Sequence, residues 1–162
     1  DTLLFKSPTC TECDVKAGIE LAEIAGVDAE EYGLEMLKAG TALGDKSDSE
    51  LLNMDMKIFE IDDTKIGVAQ VNTVNEAELT EKKENLIKEI NNIINKEGLK
   101  FFVFIITNIL SNDSVGIVVG DGTDIVEKAF NEKVSENLIV LKGVVSRKKQ
   151  VMPPLTKAIQ EV

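Results

Sequence analysis

The residues best suited to chemistry stand together near the end of the chain: the basic cluster Ser146-Arg147-Lys148-Lys149-Gln150. It holds the only arginine of a protein whose formal net charge is -11. Neighbouring cations repel one another, so their grouping in an acidic chain indicates an anion between them in the working state. The planar guanidinium suits phosphate or carboxylate oxygens, and the lysines add mobile point charges. Phosphate is the ligand that we expect, although such runs more often form a solvated face.

The position of the basic cluster along the chain favours anion binding. It follows the apolar run 138–145 and precedes Pro153-Pro154-Leu155, where a helix is predicted. The amino terminus of a helix carries partial positive charge, so cations there cost stability unless a bound anion uses both them and the free backbone N–H groups. The sequence therefore predicts an anion site at the start of the last helix.

Four ordered stretches carry a resemblance to a known family. Residues 143–155 (GVVSRKKQVMPPL) resemble the signature near the C-terminus of the family II, manganese-dependent inorganic pyrophosphatases of the DHH phosphoesterase superfamily. Residues 1–9 (DTLLFKSPT), 31–40 (EYGLEMLKAG) and 69–74 (AQVNTV) continue the resemblance in the order in which the family has them. Several ordered matches are far more specific than one short motif.

The resemblance implies a catalytic amino-terminal domain that binds two divalent metals through histidines and aspartates. This chain has no histidine, and Asp1 falls where the family has its last metal-ligating aspartate. We therefore expect a C-terminal piece of a longer protein, with Asp1 as the single remaining metal ligand. One carboxylate cannot assemble a two-metal site. The parent would use Mn2+, with Mg2+ or Co2+ as alternatives. We expect neither a tightly bound metal nor a catalytic residue in this chain.

The resemblance also implies the substrate and the residues that bind it. Pyrophosphate would lie between two domains, with Arg147, Lys148 and Lys57 contacting its phosphates. By spacing alone Lys57 is a surface lysine, and only the resemblance makes it a candidate. The parent is expected to hydrolyse pyrophosphate to two orthophosphates, and this chain to bind the anion without hydrolysing it.

The order of apolar runs predicts an α/β fold. Two short helices occupy residues 1–40, which the resemblance assigns to the end of the catalytic domain. The small and polar residues 41–49 predict a linker. Residues 50–162 alternate between strand and helix patterns, which predicts a layered domain, the DHH-associated domain of the resemblance, with a mixed sheet of roughly five strands flanked by helices. A single long helix is predicted for residues 75–97.

Composition excludes several classes of partner. No apolar run approaches the roughly 20 residues that cross a bilayer, and a pI of about 4.5 argues against nucleic acid. We expect a cytoplasmic protein. Because members of the family often pair through their catalytic domains, we expect a homodimeric parent and a monomeric chain here.

Two further motifs and two further functions remain open. Cys10-Thr11-Glu12-Cys13 is a weak C-x-x-C motif, for which coincidence, a redox pair or intermolecular metal binding are the alternatives. The glycines at 116, 120 and 122 fit turns rather than a phosphate-binding loop. The chain could also be a stand-alone anion-binding or interaction module, or the C-terminal domain of another DHH phosphoesterase such as an exopolyphosphatase.

Overall fold

The computed structural model describes residues 2–41 and 43–161. The chain divides into two compact units, Asp1–Ala42 and Leu43–Val162. The first unit holds helices α1 (Glu12–Ala25) and α2 (Ala29–Gly40). The elements of the second unit are, in chain order, α3 (Asp48–Asn53), β1 (Met56–Ile61), β2 (Thr64–Thr73), α4 (Ala77–Thr80), α5 (Lys83–Glu97), β3 (Phe101–Asn108), β4 (Asp113–Gly120), α6 (Thr123–Phe130), β5 (Leu138–Leu141), a π-helical turn (Arg147–Val151) and α7 (Met152–Gln160).

The two helices of the first unit begin and end where local chemistry predicts. Thr11 and Asp14 form a capping box at the start of α1, and Gly26 ends this helix in the left-handed conformation, with φ 70°. The side chain of Asp28 accepts hydrogen bonds from two N–H groups of the first turn of α2. The prediction of two short helices before the sheet is confirmed.

The second unit is built on one mixed sheet with the strand order β1-β2-β3-β4-β5. Strands β2 and β3 are parallel, and the other neighbouring pairs are antiparallel. One apolar cluster lies between the sheet and helices α3, α4 and α5, and a second lies between the opposite face and helices α6 and α7. The predicted α/β class, with a mixed five-stranded sheet flanked by helices, is confirmed.

Alternation along the strands assigns each residue to one of these two faces, because successive side chains point to opposite sides of a sheet. Val68 in β2 and Phe59 in β1 belong to the cluster under α6 and α7. Lys57 pairs with Val68 and therefore stands on that same face. Strand β1 lies at the edge of the sheet, which leaves the side chain of Lys57 exposed.

Helix α3 begins inside the range predicted as a linker. Ser47 and Glu50 form a capping box that starts the helix at Asp48, and hydrogen bonds from the Ser47 hydroxyl and backbone N–H lower the pKa of Glu50. Its residues Leu51 and Leu52 are fully buried. Two buried leucines therefore hold the start of the second unit against the sheet.

The helix predicted for residues 75–97 is two helices. Helix α4 ends at Thr80, and α5 begins at Lys83 with no side chain capping its amino terminus. Leu79 and Leu86 both belong to the same apolar cluster. Because residues seven apart share one face of a helix, their spacing is the same as in a continuous helix and does not mark the break.

Candidate anion site

The basic cluster occupies the first turn of the last helical segment. Ser146 precedes this turn in an extended conformation, and its hydroxyl accepts a hydrogen bond from the N–H of Lys149 at 3.3 Å. The N–H of Met152 donates to the carbonyl of Arg147, a five-residue step that makes the turn π-helical. Pro153 and Pro154 follow and lack an N–H, so they cannot close ordinary helical bonds with the residues of this turn. The structure thus places three cations in the first turn of this helical segment, where the N–H groups of Arg147 and Lys149 already have partners in the fold.

Gln150 holds the loop before the turn from one side. Its Oε1 accepts hydrogen bonds from the N–H groups of Val145 at 3.0 Å and Ser146 at 3.1 Å. Its Nε2 donates to the carbonyl of Gly143 at 2.7 Å. The side chain therefore bridges both ends of the loop that joins β5 to the basic cluster.

Gln70, from strand β2, holds the same segment from the sheet side. Its Oε1 accepts from the N–H of Arg147 at 3.1 Å, and its Nε2 donates to the carbonyl of Val145 at 3.0 Å. With the contributions of Asp113, Ser114 and the loop itself, each backbone N–H and C=O of residues 143–146 has a hydrogen-bond partner. The backbone that carries the cations is therefore fixed before any ligand arrives.

The guanidinium of Arg147 is bound within the fold. Its side chain is 10% exposed, and Nη2 lies 2.9 Å from Oδ1 of Asp55. Nη1 donates to the carbonyls of Asp55 and Val68. Three of the five N–H donors of the guanidinium are thus directed to Asp55, the residue before β1, and to Val68 of β2. The remaining donors, Nε–H and one hydrogen of Nη2, form the other edge of its planar fork.

The lysines of the site differ from the arginine in their surroundings. Lys148, Lys149 and Lys57 are exposed. Among the residues that the structure describes, no carboxylate lies within 4.0 Å of any of their ammonium groups. Lys57 stands beside Val68, whose carbonyl binds Arg147, on the face of the sheet that α7 covers. Lys57 and Arg147 therefore both lie next to Val68, and Lys148 follows Arg147 in the turn.

The predicted metal ligand, Asp1, lies outside the described residues. Within residues 2–41 and 43–161, no three His, Cys, Asp or Glu side chains are grouped as a metal site would need. Cys10 and Cys13 are free thiols in the first unit.

Five residues of the site were not singled out by the sequence. They are the residues that hold the cluster in place: Asp55, Gln70, Thr107, Ser114 and Gln150. The three that lie on strands, Gln70, Thr107 and Ser114, left a signal in the sequence. Each is a polar residue two places along the strand from a residue that faces the core. Asp55 left none, since its contact with Arg147 joins residues 92 positions apart.

Comparison with protein families gives the chain its relatives. The family described as "DHHA2 domain" matches residues 34–158 of this chain. The chain belongs to the DHHA2 domain family. This family match covers the whole sheet of the second unit and the basic cluster.

Two curated relatives match this chain over about half of their own length. A probable manganese-dependent inorganic pyrophosphatase of Shouchella clausii (strain KSM-K16) is 57% identical over 162 residues, covering 100% of this chain and 52% of the relative. A protein of the same description from Bacillus cereus (strain AH187) is 52% identical over 160 residues, covering 99% of this chain and 52% of the relative. The chain thus spans about half the length of the curated relatives it matches.

A solved structure has the same fold as this DHHA2 protein. It is the crystal structure of a Methanococcus jannaschii protein assigned to the family II inorganic pyrophosphatases, with a TM-score of 0.88 and 44% sequence identity. The match covers 98% of this chain and 52% of that chain. The resemblance to family II inorganic pyrophosphatases is confirmed. Within the described residues, no helix combines the length and apolar character that crossing a bilayer requires.

Proposed function

We propose that this chain is the C-terminal, substrate-binding part of a manganese-dependent inorganic pyrophosphatase, and that its basic cluster binds the phosphates of pyrophosphate. The relatives that share 57% and 52% identity carry that activity in their descriptions, and the chain matches about half of each. The observation that carries the proposal is the held backbone under Arg147 and Lys148. Cations on a fixed frame bind an anion without first losing the entropy of ordering a loop.

The roles proposed for the cations follow from their surroundings. Lys148 and Lys57 are exposed, so their ammonium groups can turn toward phosphate oxygens. Arg147 would use the edge of its fork that Asp55 leaves free, formed by Nε–H and Nη2–H. Negative charge builds on the transferring phosphoryl group and its leaving phosphate during hydrolysis, and cations fixed beside them stabilise that charge.

Manganese would supply the activated water for hydrolysis in the parent protein. The described residues offer no site for it. We therefore assign the hydrolytic step to the part of the parent outside this chain, and expect the chain alone to bind pyrophosphate weakly and leave it intact.

The first unit supports a division of the parent into two domains. Several large apolar side chains of α1 and α2 are exposed, among them Ile24 at 76%, Leu21 at 64% and Met36 at 61%. Two helices that leave so much apolar surface in water are typical of a fragment of a larger core. We propose that residues 1–40 are the end of the catalytic domain, residues 41–49 a linker and residues 50–162 the DHH-associated domain.

The proposal is tested first by binding. Pyrophosphate is titrated calorimetrically into this chain and into Lys57→Gln, Lys148→Gln and Lys96→Gln. The control, Lys96, is 82% exposed on α5, on the opposite face of the sheet, so its change alters the net charge equally. We expect the two site variants to raise Kd by roughly three- to tenfold, or about 0.7–1.4 kcal/mol, and the control to leave it unchanged. Equal effects of all three variants would show that binding depends on the net charge of the chain and not on the basic cluster.

Hydrolysis provides the second test. Phosphate release from pyrophosphate with Mn2+ is measured for this chain and for its full-length parent. The parent is expected to turn over and the chain to be inert. Brisk turnover by the chain would refute the division of roles, and a parent that cleaves only longer polyphosphates would point to an exopolyphosphatase. Binding by the chain with a wholly inert parent would favour a stand-alone anion-binding module.

A further inference from the structure

A row of polar side chains interrupts the core beneath the basic cluster. On the face under α6 and α7, strands β3 and β4 present apolar or small residues as far as Ile105 and Gly116. The next positions on that face are Thr107 and Ser114, which are paired across the strands and are 0% and 2% exposed. Gln70 follows Val68 on the same face of β2. Buried hydroxyl and amide groups cost free energy unless each is hydrogen-bonded, so their partners define what the row does.

The hydrogen positions in this row follow from its partners. The hydroxyl of Ser114 has one hydrogen and donates it to the carbonyl of Val144. The contact of 2.8 Å between Thr107 and Ser114 must then be a donation from Thr107. The oxygen of Thr107 is left to accept from Nε2 of Gln70, at 2.8 Å.

The same reasoning fixes the amide of Gln70. Its second Nε2 hydrogen goes to the carbonyl of Val145, and its Oε1 accepts from the N–H of Arg147. Rotating the amide by 180° would place a donor against Arg147 N–H and an acceptor against Val145 O, so only one orientation satisfies both. The row therefore ends on the backbone of residues 144, 145 and 147, immediately before Lys148.

We infer that Gln70 is a positioning residue for the basic cluster, and that Thr107 and Ser114 fix its orientation. This inference rests on the proposed function, because the benefit of a fixed cluster is a tighter grip on phosphate. Every hydrogen bond that leaves the row goes to the loop or turn that carries the cations. Packing around the row is provided by the neighbouring apolar residues, so the row adds direction rather than apolar burial. It acts on the ligand only through Arg147 and Lys148.

The test compares Thr107→Val with Thr107→Ser in this chain. Valine has nearly the shape of threonine but neither gives nor accepts a hydrogen bond, whereas serine keeps the hydroxyl. We expect Thr107→Val to raise the Kd for pyrophosphate about tenfold and to speed amide hydrogen exchange at Arg147 by about tenfold, since both hydrogen bonds of the Thr107 hydroxyl, to Ser114 and from Gln70, are lost. Thr107→Ser is expected to restore both quantities to within roughly twofold of the wild type. Both variants are measured at a temperature at which circular dichroism shows them fully folded.

Lys148→Gln in the same titration separates this inference from the proposed function. If Lys148→Gln weakens binding and Thr107→Val does not, the cluster binds phosphate without help from the row, and the inference is wrong. If Lys148→Gln has no effect, the proposed function fails, while faster exchange at Arg147 in Thr107→Val would still support positioning of the turn. A serine variant that behaves like the valine variant would show that packing, not the hydroxyl, is what matters.

A second variant covers the case in which Thr107→Val does not fold. Ser114→Ala removes the donor to Val144 and is read by the same two measurements, with the same expected changes. The wild-type chain offers an independent check, because its amides at Val145, Ser146 and Arg147 are hydrogen-bonded to the two glutamines. Of these, the Arg147 amide reports on Gln70, and its exchange at the rate of an unstructured loop would overturn the inference without any substitution.

Discussion

Replacing Arg147 by glutamine should lower the stability of the second unit, whereas the same replacement of Lys148 should not. The guanidinium makes three hydrogen bonds to Asp55 and Val68 and is 10% exposed. Lys148 is exposed, and no ion pair involves it among the described residues. We therefore expect Arg147 to stabilise the fold and the neighbouring Lys148 to have no such role.

The size of the effect can be worked from these contacts. A charge-assisted hydrogen bond to a carboxylate contributes roughly 1.5–3 kcal/mol, but Asp55 is 52% exposed, so solvent screening reduces this pair to about 1 kcal/mol. The two bonds to main-chain carbonyls add about 1 kcal/mol together, because a glutamine at 147 can replace only part of them. We expect Arg147→Gln to lose about 2 kcal/mol and Lys148→Gln to stay within about 0.5 kcal/mol of the wild type.

Urea unfolding of the chain measures the difference. The only tyrosine, Tyr32, lies in the first unit, and there is no tryptophan, so the second unit is followed by the NMR signals of its β3 amides. With a slope of about 2 kcal/mol/M, the midpoint of Arg147→Gln should fall by about 1 M. A double-mutant cycle with Asp55→Asn should give a coupling of about 1 kcal/mol. Midpoints for Arg147→Gln and Lys148→Gln that agree within about 0.2 M would refute the anchoring role of the guanidinium.

Two further predictions concern the scaffold. Hydrogen bonds from Ser47 lower the pKa of Glu50 below its ordinary value of 4.5, so its contribution to stability is complete above that pH and is lost as the pH falls through the lower, folded-state pKa. In Glu50→Gln, the urea midpoint should therefore fall less steeply below pH 4.5 than in the wild type. Glu84→Gln, on the exposed side of α5, is the control. Parallel curves of midpoint against pH for Glu50→Gln and the wild type would contradict the stabilising role of Glu50. An added Cβ in Gly122→Ala would lie 2.2 Å from the ring of the fully buried Phe101. We therefore expect the free energy of unfolding to fall by about 1–3 kcal/mol in the same urea assay. Gly44→Ala, whose added Cβ would have no atom within 4 Å, should be nearly neutral.

Strand β3 could be predicted from the sequence because its apolar run is continuous. The run 101–106 is buried on both faces as β3, as a continuous apolar segment of strand length predicts. Gly26 ends α1 and Asp28 starts α2, and both residue types favour these positions in a sequence. The break before Lys83 could not be predicted, because the apolar positions of residues 75–97 keep helical spacing across it.

The charged residues of the candidate site were predicted from the sequence, but the residues that hold them in place were not. Arg147, Lys148 and Lys57 were named from sequence, and whether they bind phosphate stays a prediction. The contact between Arg147 and Asp55 depends on the register of β1 against β2, which a single sequence does not fix. Gln70 was visible as a polar residue among apolar neighbours, but its partners lie in three different elements.

The lysines at 148 and 149 contribute charge to the site without shaping it. The bonds that form the turn run through backbone groups, the Ser146 hydroxyl and the two glutamines, so exchanging either lysine changes the charge of the turn and leaves its backbone bonds in place. The requirement to fold therefore does not restrict the side chain at either position of this chain. For protein engineering, the same turn offers two positions where new recognition chemistry can be installed without redesigning a core.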